Sequence, residues 1–282
     1  MTERLPAVFF GHGNPMFAIG ENDWTKAWHD LATSLPRPTG KLAVENVHYA
    51  PPGANKLILT NINFTIEPGE VLGVIGPSGA GKSTLARLLV GIWKPGQGVV
   101  RLDGADVFSW ERSDFGRHVG YLPQDTELFA GTVRNNIARF RDDVSDEQVV
   151  EAARLAGVHD LILRMPRGYD TEVGEGGVVL SAGQRQRVGL ARTMLGDPAY
   201  IVLDEPNASL DAEGEEALIR AIDAMKTKGS TVVIISHKAG VFRSADKMLV
   251  LREGRVELFG PRDQVMARLV KPAEVRAVEA GR

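Results

Sequence analysis

Val71-Leu-Gly-Val-Ile-Gly-Pro-Ser-Gly-Ala-Gly-Lys-Ser83 decides the fold. Its first five residues are almost continuously apolar, the pattern of a strand buried on both faces of a sheet. Gly76–Ser83 then fits the spacing G-x-x-x-x-G-K-[ST]. The glycines let successive backbone N–H groups turn inward and wrap phosphate oxygens. The pattern predicts a helix from about Lys82 to Ile92, with Leu85, Leu88, Leu89 and Ile92 on one side. The N-terminus of that helix adds partial positive charge. Gly76, Pro77, Ser78, Gly79, Ala80, Gly81, Lys82, Ser83 and Thr84 are therefore the candidate triphosphate-binding residues. Lys82 suits the β- and γ-phosphates, and the Ser83 hydroxyl suits Mg²⁺. A glycine-rich turn that merely precedes a helix is the plainer alternative, and the two correct flanks weigh against it.

Binding alone does not imply cleavage, which needs an acid to hold the metal and a group to orient water. Tyr200-Ile-Val-Leu-Asp-Glu205 offers both at the end of an apolar strand. Asp204 is the candidate Mg²⁺ ligand, and Glu205, pointing differently, is the candidate general base. A strand that ends in surface carboxylates would look similar in a chain without the phosphate loop. Thr231-Val-Val-Ile-Ile-Ser-His237 repeats the geometry, with His237 placed to reach the γ-phosphate, the water or Glu205. Gln124, after the short strand within Val119–Gln124, is a candidate ligand for Mg²⁺ or water. Ligands collect at the C-terminal edges of strands in open α/β sheets, where all these residues are expected.

The remaining pattern sorts into three parts. Leu42–Tyr49 and Leu57–Ile66 alternate as strands around the breaker Pro51-Pro-Gly53, and Lys247–Leu251 and Arg255–Phe259 read as a closing hairpin. Residues 133–170 are mostly helical, with Ser145 and Gln148 at capping-box spacing. The expected fold is α/β: a mostly parallel sheet around the phosphate loop, an antiparallel β subdomain, and a helical subdomain over about 130–192. The net charge of −3 gives no reason to expect a nucleic-acid partner. The absence of cysteine rules out disulfides and thiol chemistry. No apolar run approaches the roughly 18–20 residues of a membrane span, so direct membrane insertion is not expected.

Leu180-Ser-Ala-Gly-Gln184, followed by Arg185-Gln-Arg-Val-Gly-Leu-Ala-Arg192, resembles the signature of ATP-binding cassette (ABC) transporters. Ala182 stands where that family usually has the first of two glycines. The resemblance implies a P-loop NTPase core that binds and hydrolyses ATP with Mg²⁺. It implies that Ser181, Ala182, Gly183, Gln184 and Asp211 act in trans, on ATP held by a second cassette in a head-to-tail homodimer or heterodimer. Tyr49 sits where the family stacks an aromatic on adenine, although a partly buried strand tyrosine would read the same way. Thr171-Glu-Val-Gly-Glu175 and Glu127–Ile137 resemble exporter segments, and with Leu258–Asp263 the chain from about 38 to 269 is similar to type I secretion ATPases. That similarity implies a separate transmembrane permease and a cytoplasmic cassette, peripheral at the inner face of the membrane.

Residues 1–39 end in a punctuated boundary, Ser34–Gly40. Within them, Pro6–Met16, Trp24, Trp28 and Leu35-Pro-Arg-Pro38 resemble the start of extradiol-type aromatic ring dioxygenases, and His12 matches a metal-ligand position there. His12 and His29 alone make a poor metal site. The segment is therefore expected to be a non-functional N-terminal extension ahead of a cassette over 40–282. Three rivals remain: a cassette that binds ATP without driving transport, a soluble non-transport cassette ATPase, and a metal-dependent dioxygenase.

Overall fold

The computed structural model describes residues 37–54 and 56–270. In chain order the strands are β1 (Leu42–Tyr49), β2 (Leu59–Ile66), β3 (Val71–Ile75), β4 (Gln97–Leu102), β5 (Ala105–Asp106), β6 (Val119–Leu122), β7 (Tyr200–Asp204), β8 (Thr231–Ile235), β9 (Lys247–Arg252) and β10 (Arg255–Pro261). The helices are α1 (Lys82–Leu89), α2 (Arg112–His118), α3 (Val133–Ile137), α4 (Asp146–Leu155), α5 (His159–Leu163), α6 (Ala182–Met194), α7 (Ala212–Thr227) and α8 (Arg262–Val270).

Two sheets carry the architecture. A six-stranded sheet runs β10-β9-β3-β8-β7-β6, parallel except for the terminal β9–β10 hairpin. A four-stranded antiparallel sheet runs β2-β1-β4-β5. The expected α/β class with parallel core, antiparallel part and helical insert is the one observed. The apolar runs β7 and β8 are buried at every residue, as central strands covered on both faces must be.

The pleat decides what each face carries. Ile201, Leu203, Val232 and Ile234 pack with residues of α4, α6 and α7. Tyr200, Val202, Val233 and Ile235 face the other way, onto α1 and the antiparallel sheet. By alternation Asp204 falls on the side of Tyr200 and Val202, the side of the phosphate loop and α1.

Three boundaries differ from the sequence pattern. β2 begins at Leu59, because Tyr49↔Leu59 is its last pair with β1; Leu57 lies outside, 46 % exposed. α1 stops at Leu89 and does not reach Ile92. Gly91, at φ 65°, donates to Leu88 O while Ile92 N donates to Arg87 O, a Schellman stop that turns Ile92 outward to 52 % exposure. The 133–170 region is broken into α3, α4, α5 and a 3-10 turn at Gly168–Asp170. The Ser145–Gln148 capping box does form, with Ser145 N to Gln148 Oε1 at 3.0 Å.

Candidate functional site

The phosphate loop joins β3 to α1. Gly81 is the N-cap of α1 at φ 100°, a backbone that strains any residue with a Cβ. A Cβ there would also lie 2.7 Å from Leu59 Cδ2, so the start of β2 lies against the loop. No side chain caps α1 and its first turn carries no acid, which leaves the N-terminal N–H groups open to an anion. Lys82 is buried, and its Nζ donates to Gly76 O at 2.8 Å and Pro77 O at 3.1 Å. Burial pulls its pKa down despite the attraction of Glu205 and Asp204. This lysine is curled over the cradle that its own loop forms.

Asp204 is 1 % exposed, and its Oδ1 is buried without a hydrogen-bond partner. Burial first, and the neighbouring Glu205 second, hold its pKa above the ordinary carboxylate range, against the hydrogen bond from Ser83 and the charges of Arg87 and Lys82. A buried acid with an orphaned oxygen beside a serine hydroxyl is short of positive charge. A divalent cation fits that deficit.

Glu205 has φ 50°, which is uncommon outside glycine and marks local strain. Its N–H donates to Ile235 O at 2.8 Å, pinning the end of β7 to the end of β8. The left-handed step makes the two successive carboxylates diverge. Glu205 Oε1 is buried without a hydrogen bond, with His237 Nε2 3.1 Å away but not aligned for one. The His237 side chain is 55 % exposed. Next to it, buried Ser236 donates its hydroxyl to Asn207 Oδ1 at 2.8 Å and accepts Lys238 N, which fixes the turn that presents the histidine.

Lys82, Ser83, Asp204, Glu205 and His237 are thus brought to one edge of the parallel sheet. The other candidates lie elsewhere. Gln124 is exposed beyond β6, where it lines a cleft of about 370 Å³ with Ala182, Arg185, Gln186 and Ser209. Ser181 caps α6 in a capping box with Gln184, whose Oε1 accepts Ser181 N at 2.9 Å. Asp211 caps α7 and is bound by Arg187 at 2.7 Å. Tyr49 is 5 % exposed and stacks on Trp93, with centroids 5.2 Å apart and planes 6° from parallel. Arg87 lies over the same Trp93 ring, 4.6 Å from its centroid. One face of the tyrosine is thereby taken by a side chain of the same chain. His12 and His29 lie outside the described residues, among which no three His, Cys, Asp or Glu side chains gather as a metal site.

Sequence reasoning missed Gln186. It is buried in α6 and touches both Glu205 and Ser209. A signal existed: positions 186, 190 and 193 fall on one helical stripe, so a glutamine there had to be buried and bonded.

A family model described as ABC transporter matches residues 59–208, more than half of the 282-residue chain. The chain belongs to the ABC transporter family. Among its ABC relatives, the type I secretion system ATP-binding protein PrsD of Rhizobium meliloti is 50 % identical over 89 % of this chain and 43 % of its own length. The cyclolysin secretion/processing ATP-binding protein CyaB of Bordetella pertussis is 40 % identical over 88 % of this chain and 35 % of its own length. The solved structure of a bacterial Atm1-family ABC exporter with ATP bound superposes with a TM-score of 0.77 at 32 % identity, covering 92 % of this chain and 47 % of that one. This ABC chain therefore spans less than half the length of these relatives. Among the described residues no helix is long and apolar enough to cross a membrane.

Proposed function

We propose that the protein binds Mg-ATP and hydrolyses it as the ATPase component of a type I secretion exporter, with a separate chain supplying the membrane domain. The observation that carries this reading is the pair of orphaned carboxylate oxygens, one on Asp204 and one on Glu205, beside the phosphate loop. Buried acids without partners are costly unless a ligand completes them.

In this reading Gly76–Thr84 hold the triphosphate with backbone N–H groups, and Lys82 leaves its loop carbonyls for the β- and γ-phosphates. Mg²⁺, held by Ser83 and Asp204, would supply positive charge against the phosphate oxygens, and Gln124 would join them by reaching in from its cleft. Glu205 accepts a proton from the water that attacks the γ-phosphorus, the bond to the bridging oxygen breaks, and ADP departs. His237, 3.1 Å from Glu205, steadies that carboxylate and donates toward the γ-phosphate. Tyr49 would stack on adenine only once its ring, 5 % exposed and covered on one face by Trp93, is uncovered.

Ser181, Ala182, Gly183, Gln184 and Asp211 lie at the N-terminal ends of α6 and α7, and the side-chain hydrogen bonds of Ser181, Gln184 and Asp211 go to one another, Gly214 or Arg187, none to Gly76–Thr84. That separation supports a head-to-tail dimer in which they complete the partner's ATP site. A cleft of about 490 Å³, lined by Tyr121, Arg139, Arg192 and the exposed Phe129 and Phe140, supports docking of a membrane-domain partner beside the Thr171–Glu175 loop. The protein then works as a cytoplasmic subunit, peripheral at the inner face of the membrane.

The test is phosphate release from Mg-ATP by the full chain and by Ser181→Arg. The wild type is expected to turn over. The variant, whose long cation blocks the partner interface, is expected to keep single-site ATP binding and to lose turnover by about tenfold or more. Undiminished turnover in Ser181→Arg would remove the site in trans. An inactive wild type would remove the hydrolase.

A further inference from the structure

α6 holds more of the site than its N-terminal end. Residues 183, 186 and 187 fall on one face of this helix, at i, i+3 and i+4. All three touch the loop that follows β7. Gln186 is 4 % exposed and uses both ends of its amide. Its Nε2 donates to Glu205 O at 3.0 Å, and its Oε1 accepts Ser209 N at 3.0 Å. Arg187 binds Asp211 Oδ1 at 2.7 Å, the same oxygen that accepts Gly214 N at 2.8 Å. At Gly183 an added Cβ would stand 2.8 Å from Ser209 O, so the loop approaches the helix backbone directly.

The contact at Glu205 carries the consequence. Its backbone is left-handed, a conformation that a glutamate holds only when its surroundings impose it. Its N–H is fixed by Ile235 O, and its carbonyl accepts Ala208 N at 3.1 Å within the loop's own turn. Gln186 gives the only described side-chain bond to that carbonyl, and it comes from a different element. The geometry points to Gln186 as a positioning residue that aims the Glu205 carboxylate and ties it to the helix capped by Ser181. Any displacement of α6 is carried through a buried amide, bonded at both its nitrogen and its oxygen, to the residue next to Asp204. In the dimer proposed above, this couples engagement of the partner's ATP at Ser181 to the aim of Glu205 in the same chain.

This inference rests on the ATPase reading, with Glu205 as base. The test compares the full-length wild type with Gln186→Met, which keeps the size and removes both bonds, and with Gln186→Glu. When ionised, the glutamate keeps an acceptor for Ser209 N–H but has no donor for Glu205 O, so kcat is read from about pH 7 to 9, where protonation that would restore a donor is progressively lost. Both variants are expected to lose about 10- to 100-fold in kcat, with the Kd and KM for Mg-ATP within about twofold of wild type. An unchanged kcat in Gln186→Glu overturns the proposal. So does a loss of Mg-ATP affinity that runs parallel with kcat, because that pattern marks a merely structural role. Should Gln186→Met fail to fold, Gln186→Glu alone decides by the same criteria. Wild-type protein without turnover defeats the ATPase reading and the inference with it, whereas an active wild type with unaffected variants defeats the inference alone.

Discussion

Glu205→Gln is expected to lose at least about a hundredfold in turnover while binding Mg-ATP as well as the wild type or better. The amide has nearly the shape of the carboxylate, so the left-handed backbone and the bonds of Glu205 N to Ile235 O and Glu205 O to Gln186 Nε2 remain. What disappears is the ability to accept a proton from water. A negative charge beside Asp204 also disappears, and that charge is one of the causes raising the Asp204 pKa. With less repulsion around the triphosphate, binding should tighten and the ATP-bound dimer should accumulate. Phosphate release, equilibrium nucleotide binding and size measurement with ATP present read these three effects separately. Hydrolysis at the wild-type rate would move the base to another residue.

Lys82→Ala is expected to weaken Mg-ATP binding by about 10- to 100-fold, the range for one charge-assisted contact of about 1.5–3 kcal/mol. The ammonium donates to Gly76 O and Pro77 O, so truncation also leaves two loop carbonyls without their donor. The depressed pKa of Lys82 has burial as its first cause. A phosphate arriving at that position would reverse the balance by supplying the charge partner the lysine lacks. Titration calorimetry against Mg-ATP gives the number directly. Affinity equal to wild type would count against the assignment of Gly76–Ser83 as the phosphate loop.

Much of this arrangement was legible along the chain because the deciding features are local. A strand, a glycine-rich turn and a helix start follow one another within Val71–Ser83, and each has its own short-range signature. The strand ends at Asp204 and at Ile235 are legible for the same reason, as is the capping box at Ser145. The differences arise where distant residues decide. Leu57 alternates like a strand residue but has no partner beyond Tyr49. Ile92 continues the apolar stripe of α1, yet Gly91 turns the chain out first. Tyr49 meets Trp93, a residue no spacing rule would connect to it. Gln186 and Glu205 are 19 positions apart, and their bond follows from packing α6 under the sheet edge. The left-handed backbone of Glu205 likewise reflects tertiary constraint, since its own side chain disfavours it.

The most direct test is a crystal structure of the full chain carrying Glu205→Gln with Mg-ATP. The triphosphate should lie against the backbone of Gly76–Ser83, with the metal ion touching Ser83 and Asp204 and the γ-phosphate facing residue 205. A nucleotide bound away from this loop, or a metal ion that leaves Asp204 untouched, would contradict the account.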